Sequence, residues 1–397
     1  MISALATVEG LLLPRMLSLE QSDPTLGKQQ RQLLRSSLSQ FQLGTLALHA
    51  TWMASHPIAK TEWVLALGET HHQQFRTQAV GPRNRQGIVP VSYGLLANHD
   101  AHPAPWYWDV VRLLTSVQLC LPKRLSMKII GQAVLSDYIR VMRALAHDDD
   151  QVERIDYLSL PEELKKQIDV DAQAKKQRTW ETRLVRGKRL RLGKIVVADK
   201  ANKTPLTALF CDLLPKNMKL LDLACCPQTD DTTTLGQRRW WILCHEINTV
   251  NPLNHNRIRI GQIVERRSSQ LAHALPFHPL SNVIKAPTFI THLGHDPIHN
   301  SFATASGLLM SQSICHARQA VDLSLLDEGD AIRLGRLWGQ LIAMHHAHGL
   351  RTLGCDLPQV ADRLANQAQI HGHLVISLAN EQFRWYDQTY RLYLTKS

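Results

Sequence analysis

The spacing of apolar residues changes along this chain, and the change limits the folds open to it. Up to about residue 147 they recur at helical spacing. In "QQRQLLRSSLSQFQLGTLALHATWMA", residues 29–54, leucines and aromatic residues are interleaved with good helix formers. "HPAPWYWDVVRLLTSVQLCLP", residues 102–122, predicts a helix that starts after Pro105 and ends before Pro122, since proline is excluded from a helix interior. "QAVLSDYIRVMRALAH", residues 132–147, predicts a second amphipathic helix.

Beyond residue 188 the pattern turns to alternation. In "RLRLGKIVVA", residues 189–198, Arg189 and Arg191 share one face of a strand and Leu190 and Leu192 the other. "KLLDLACC" and "RRWWILCHEI" read as buried strands, and "RIRIGQIVERR" alternates again. One more helix is predicted over "DAIRLGRLWGQLIAMHHAHG", residues 330–349. Leu334, Leu337, Trp338, Leu341, Ile342 and His345 fall on its buried face, and Gly349 reads as its stop. The closing "HLVISLANEQFRWYDQTYRLYLT" is rich in aromatic and β-branched residues and reads as a hairpin turning near residues 379–381.

The fold class expected is therefore α+β: a mainly helical N-terminal region followed by a mixed α/β C-terminal region with a basic β-ribbon. A chain of 397 residues is long for one core. The division expected is a helical domain over 1–147, an acidic linker over 148–174 and a mixed α+β domain over 175–397, with the ribbon at 175–198.

Charge sharpens this division. Residues 148–171 carry nine acids and three bases, a net of −6. Residues 175–194, "KKQRTWETRLVRGKRLRLGK", then carry nine bases and one acid, a net of +8. The whole chain stands at +11, so removing the second stretch leaves +3 (11 − 8). The basic character of the protein is thus largely that of one segment. Such a segment attracts polyanions, unless the acidic stretch before it folds back and masks it.

The seven cysteines are an odd number in a long chain, which suits free thiols in a reducing compartment. The first residues lack a positive segment followed by an uninterrupted apolar run, and no run reaches the roughly 18 apolar residues of a membrane helix. A soluble, cytoplasmic protein with no membrane partner is expected.

Lys175, Lys176, Arg178, Arg183, Arg186, Lys188, Arg189, Arg191 and Lys194 are the candidate phosphate contacts, with Trp180 among them as a candidate stacking platform. Arginine outnumbers lysine there, which suits bidentate phosphate contact. Arg257 and Arg259 extend the candidate interface, and Arg238, Arg239, Arg266 and Arg267 join them if the strands around them pair. Trp240 and Trp241 read as core.

A candidate metal site lies in "THLGHDPIH". His292, His295 and His299 there have ligand chemistry for a divalent ion, with Asp296 between them, although Pro297 prevents a helix from aligning them. Neither a phosphate-binding lysine loop, a dinucleotide-binding glycine pattern nor a Gly-x-Ser-x-Gly elbow occurs.

The expected function is that of a non-enzymatic protein binding nucleic acid, DNA or RNA, as a subunit of a larger assembly with protein partners and no cofactor. The alternatives are a metal-dependent enzyme using the His-rich loop, and a scaffold whose basic segment binds an acidic protein.

Overall fold

The computed structural model describes residues 3–22, 24–79, 91–95, 101–147, 183–191, 218–225, 239–247, 257–266, 300–304, 307–313 and 321–397, with single residues at 162, 165, 210, 211, 214, 216, 271, 274 and 275. The fold is α+β, mostly helical, with small antiparallel sheets. Most of the acidic stretch 148–174 lies outside the described residues.

The chain opens in helices. α1 (Ala4–Thr7) passes through one π-helical turn (Val8–Leu12) into α2 (Leu13–Ser22). There follow α3 (Pro24–Ser36), α4 (Leu38–Gly44) and α5 (Leu46–Ala54). Breaks between them carry local signals: Pro24 begins α3, and the Ser37 hydroxyl accepts a bond from the Gln40 N–H at the start of α4. β1 (Trp63–Ala66) and β4 (His102–Pro105) pair antiparallel, as do β2 (Phe75–Ala79) and β3 (Val91–Leu95). α6 (Tyr107–Cys120) and α7 (Met127–His147) then form where proline placement and periodicity predict them.

Two long helices close the chain, α8 (Glu328–Thr352) and α9 (Leu357–Lys396). α7 makes the largest helix–helix contacts of the molecule, with α8 and with α9. The α7–α8 crossing is close because α8 presents Gly335 and Gly339 to it. A Cβ at 339 would overlap the Val134 carbonyl oxygen, and one at 335 would stand 3.1 Å from the carbonyl oxygen of Ile130.

α9 corrects the sequence reading, because the expected terminal hairpin is its C-terminal half. Val375, Ala379, Gln382, Trp385, Tyr386, Thr389 and Tyr393 are all buried, at spacings of three and four. This helical period outweighs the strand preference of the individual aromatic and β-branched residues. Gly349 is corrected too. It lies inside α8, where a Cβ would come within 2.7 Å of the Leu65 Cβ, so it serves packing against β1. The stop is Gly354, at φ +71°. The Gly354 N–H donates to the Arg351 carbonyl and the Cys355 N–H to the Leu350 carbonyl, the two bonds of a Schellman motif.

One apolar core thus runs from Val8 and Met16 through α6 and α7 to Tyr386 and Tyr393. Helices from both ends of the chain share it. Contacts at the surface repeat the closure, with Arg31 donating to the Ser397 carbonyl at 3.1 Å and Lys396 paired with Glu9.

Strands between α7 and α8 build a second unit. β7 (Met218–Cys225), β8 (Arg239–Glu246), β9 (Arg257–Arg266), β10 (Asn300–Thr304) and β11 (Gly307–Ser313) form an antiparallel sheet in the order β10-β11-β9-β8-β7. Strand alternation gives it two apolar faces. Trp240, Ile242 and Cys244 pack with Phe210 and Leu214 on one, while Trp241, Leu243 and Ile260 pack on the other. Both tryptophans are core, as the sequence implied.

Candidate nucleic-acid interface

The basic ribbon is a short hairpin of β5 (Val185–Arg186) and β6 (Arg189–Leu190). Its turn is Gly187-Lys188. Gly187 sits at φ +60°, the left-handed value that the first position of a two-residue II′ hairpin turn requires and that glycine adopts at little cost. Val185 pairs with Leu190 and Arg186 with Arg189, and the Arg191 N–H extends the ladder to the Leu184 carbonyl at 2.6 Å.

Apolar positions of the hairpin anchor it. Leu184 and Leu190 are buried against Ala224, Trp241, Leu243 and Ile260 on one face of the five-stranded sheet. Burial of a leucine side chain contributes about 2 kcal/mol, so two of them hold a hairpin too short to be stable alone. A polar clamp adds direction: the Leu190 N–H donates to the Asp222 carboxylate at 2.8 Å, beside a register shift in β7 between Leu220 and Asp222.

Every cationic position of the described hairpin faces outward. Arg183, Arg186, Lys188, Arg189 and Arg191 are all exposed. Among the described residues, none of these five side chains is held in a hydrogen bond or ion pair. Arg186 and Arg189 stand directly opposite each other, a like-charge pairing that costs stability in a sheet. An unsatisfied cluster of guanidinium and ammonium groups on an anchored backbone is suited chemically to gripping phosphates, carboxylates or sulfates.

The remaining candidates divide as follows. Lys175, Lys176, Arg178, Trp180 and Lys194 lie outside the described residues. Arg257 and Arg259 stand on β9, opposite Glu246 and Cys244 of β8, and β8 separates them from β7. Arg239 is buried on β8 opposite Val264, so it does not join an exposed basic face although the strands around it pair. His292, His295, Asp296 and His299 lie outside the described residues, and among the described residues no group of three His, Cys, Asp or Glu side chains is placed to hold a metal ion.

Sequence reasoning missed a buried polar centre in the helical core. Asp109, in the first turn of α6, accepts hydrogen bonds from the backbone N–H groups of Leu67 (2.7 Å) and Gly68 (3.0 Å) just after β1. Its Oδ2 also lies 3.0 Å from Nε2 of His346 on α8, whose Nδ1 lies 2.9 Å from the hydroxyl of Tyr138 on α7. The bonding fits a His346 that donates to the carboxylate and accepts from the phenol. Burial, and then the nearby Asp109 charge, hold the Tyr138 hydroxyl well above the usual phenol range, so it stays a donor. All three side chains are fully or almost fully buried, and the chain joins β1, α6, α7 and α8. Its signal in the sequence is a lone acid in "WYWDVVRLL", where every neighbour but an arginine is apolar.

Comparison of the chain with known protein families, with curated proteins and with solved structures finds no match. No described helix is long and apolar enough to cross a membrane.

Proposed function

We propose that this protein binds the phosphate backbone of nucleic acid through the β5–β6 hairpin, without catalysing a reaction, as one subunit of a larger nucleoprotein assembly. The observation that carries the reading is the hairpin itself: two buried leucines fix it, and five of its other seven residues are exposed cations without partners among the described residues. A hairpin serving only to cover the sheet would gain nothing from opposing Arg186 to Arg189. A polyanion turns that repulsion into attraction and releases counterions as it binds. Because the described cations address charge rather than base edges, the affinity is independent of sequence. The proposal places the protein in the cytoplasm, where unbridged thiols such as those of Cys120, Cys211, Cys244 and Cys355 persist.

The test is fluorescence anisotropy with labelled single-stranded DNA, single-stranded RNA and duplex DNA, each at several salt concentrations. Wild type is compared with a variant carrying R183Q, R186Q, K188Q, R189Q and R191Q. Wild type should show a steep fall of affinity with salt. The variant's log–log slope should shrink by roughly 0.7–0.9 for each phosphate that it no longer neutralises. Equal affinity and equal slope in the two proteins would overturn the reading.

A further inference from the structure

Arg112 of α6 is fully buried, and only one nitrogen of its guanidinium is satisfied. Nη2 donates to the carbonyls of Gln42 (3.1 Å) and Leu43 (3.3 Å) at the C-terminal end of α4. Nε and Nη1 reach no acceptor among the described residues. The Tyr386 hydroxyl lies close by, but it donates to the Thr45 carbonyl at 3.2 Å, and its geometry toward Nε and Nη1 is too poor for a bond. Among the described residues no carboxylate is paired with Arg112. Asp109, one turn earlier on α6, directs its carboxylate to the Leu67 and Gly68 amides and to His346. The other neighbours are neutral. Burial, and then the Arg112 charge itself, hold His49 well below the usual imidazole range, and burial holds the Tyr386 phenol above its own. One further donor is stranded at the same place. Gln382 Oε1 accepts from the Thr115 hydroxyl (3.1 Å) and faces His49 Nδ1 (3.0 Å), which leaves Nε2 without a partner. Thr115 follows Arg112 by one turn of α6 and Tyr386 follows Gln382 by one turn of α9, so guanidinium and amide stand at one crossing of the two helices. The Gln42 side chain, whose oxygen is also unpartnered, offers donors there when its amide is turned over.

We propose that the helical core holds a small monovalent anion, chloride in physiological solution, between Arg112 of α6 and Gln382 of α9. A guanidinium keeps its charge in proteins, and a buried charge without a counter-ion is strongly destabilising. The carbonyls at the end of α4 supply about half a negative charge at most. Water would fill the orphaned donors but leave the charge unbalanced, whereas an anion does both. Charge also sets the class of ligand. One guanidinium balances one negative charge, so a sulfate or phosphate dianion would leave an excess of its own in the core. Complete burial of Arg112, Gln382 and Tyr386 excludes any anion that belongs to a polymer and must reach solvent. The anion ties α4 and α6 to α9, and so the first helices of the chain to the last. The inference is independent of the hairpin reading, because the two sites share no residue.

The experiment is thermal unfolding of the full chain in mixtures of sodium chloride and sodium gluconate at one ionic strength, since gluconate is too large for the site. The melting temperature of wild type should rise by roughly 2 °C for each tenfold increase in chloride above its dissociation constant. Gln382→Glu keeps the oxygen that accepts from Thr115 and His49 and turns the stranded amide nitrogen into a carboxylate oxygen beside the guanidinium. This variant carries its own counter-ion, so its melting temperature should no longer depend on chloride. A crystal of wild type grown in sodium bromide supplies a readout that needs no variant to fold. An anomalous peak is expected in contact with Arg112 Nε or Nη1 and Gln382 Nε2. Three results would each overturn the proposal: a melting temperature of wild type indifferent to chloride, an equal chloride dependence in Gln382→Glu, or ordered water without an anomalous peak at the guanidinium.

Discussion

Asp109 shows how much of the helical core rests on single polar atoms. A buried carboxylate is unfavourable unless its lone pairs are filled. Here the Leu67 and Gly68 amides and His346 fill them, and the Thr70 hydroxyl adds a bond of 2.9 Å to the Asp109 carbonyl. The two amide donors follow directly on β1, which is only four residues long. Replacing Asp109 with alanine strands two backbone N–H groups and one imidazole nitrogen away from water. Each orphaned group costs roughly 1–3 kcal/mol, so Asp109→Ala should lower the unfolding free energy by about 3 kcal/mol or more. Urea denaturation followed by tryptophan fluorescence measures it. A loss below about 1 kcal/mol would mean that water enters and satisfies the amides.

At the scale of elements, the glycines of α8 separate what the sequence reveals from what it conceals. Gly339 and Gly349 look alike in the chain, as glycines inside or at the end of a helical pattern. Their roles are set by what lies opposite, a Val134 carbonyl in one case and Leu65 in the other, and neither neighbour is near them in sequence. α6, α7 and the sheet strands are legible because proline placement and the hydrophobic period are local. α9 is misread for the opposite reason. Residues such as Tyr390 and Tyr393 favour strands one by one, and only the partners waiting on distant helices, Phe41 of α4 for these two, make their three-and-four spacing decisive. Among the candidate site residues, the alternation of Arg189, Leu190 and Arg191 is legible, since a strand with one packed face must show it. The Asp109 centre is concealed because its members come from four elements. The α7–α8 crossing yields a direct test. Gly339→Ala drives a methyl group into the Val134 carbonyl and should cost about 1–3 kcal/mol, through a forced shift of one helix. Gly10→Ala, where a Cβ meets only open space, should instead be neutral or stabilising by up to about 1 kcal/mol. Thermal unfolding of the two variants side by side checks both. Equal effects would mean that helix propensity, not the close approach, governs position 339.

Across the whole molecule, the order of packing differs from the order of the chain. α6 and α7 come before the sheet unit in sequence, and α8 and α9 after it, yet the four share one core. The sheet, with its basic hairpin, is therefore an insertion between two parts of a helical body. Its own apolar clusters are distinct from the helical core. This arrangement sets what the helical body needs in order to fold. Residues 1–147 alone would expose the faces of α6 and α7 that α8 and α9 cover, including Tyr138, Leu135 and Val134, each of which is almost fully buried in the complete chain. A fragment ending at residue 147 is thus expected to lack a cooperative unfolding transition and to bind a dye specific for exposed apolar surface. Adding a second fragment, residues 321–397, should restore a cooperative transition, because it supplies the packing of α8 and α9 against α7. Circular dichroism melts of each fragment and of their mixture measure this. A cooperative transition from residues 1–147 alone would show that the first helices close a core without the last two.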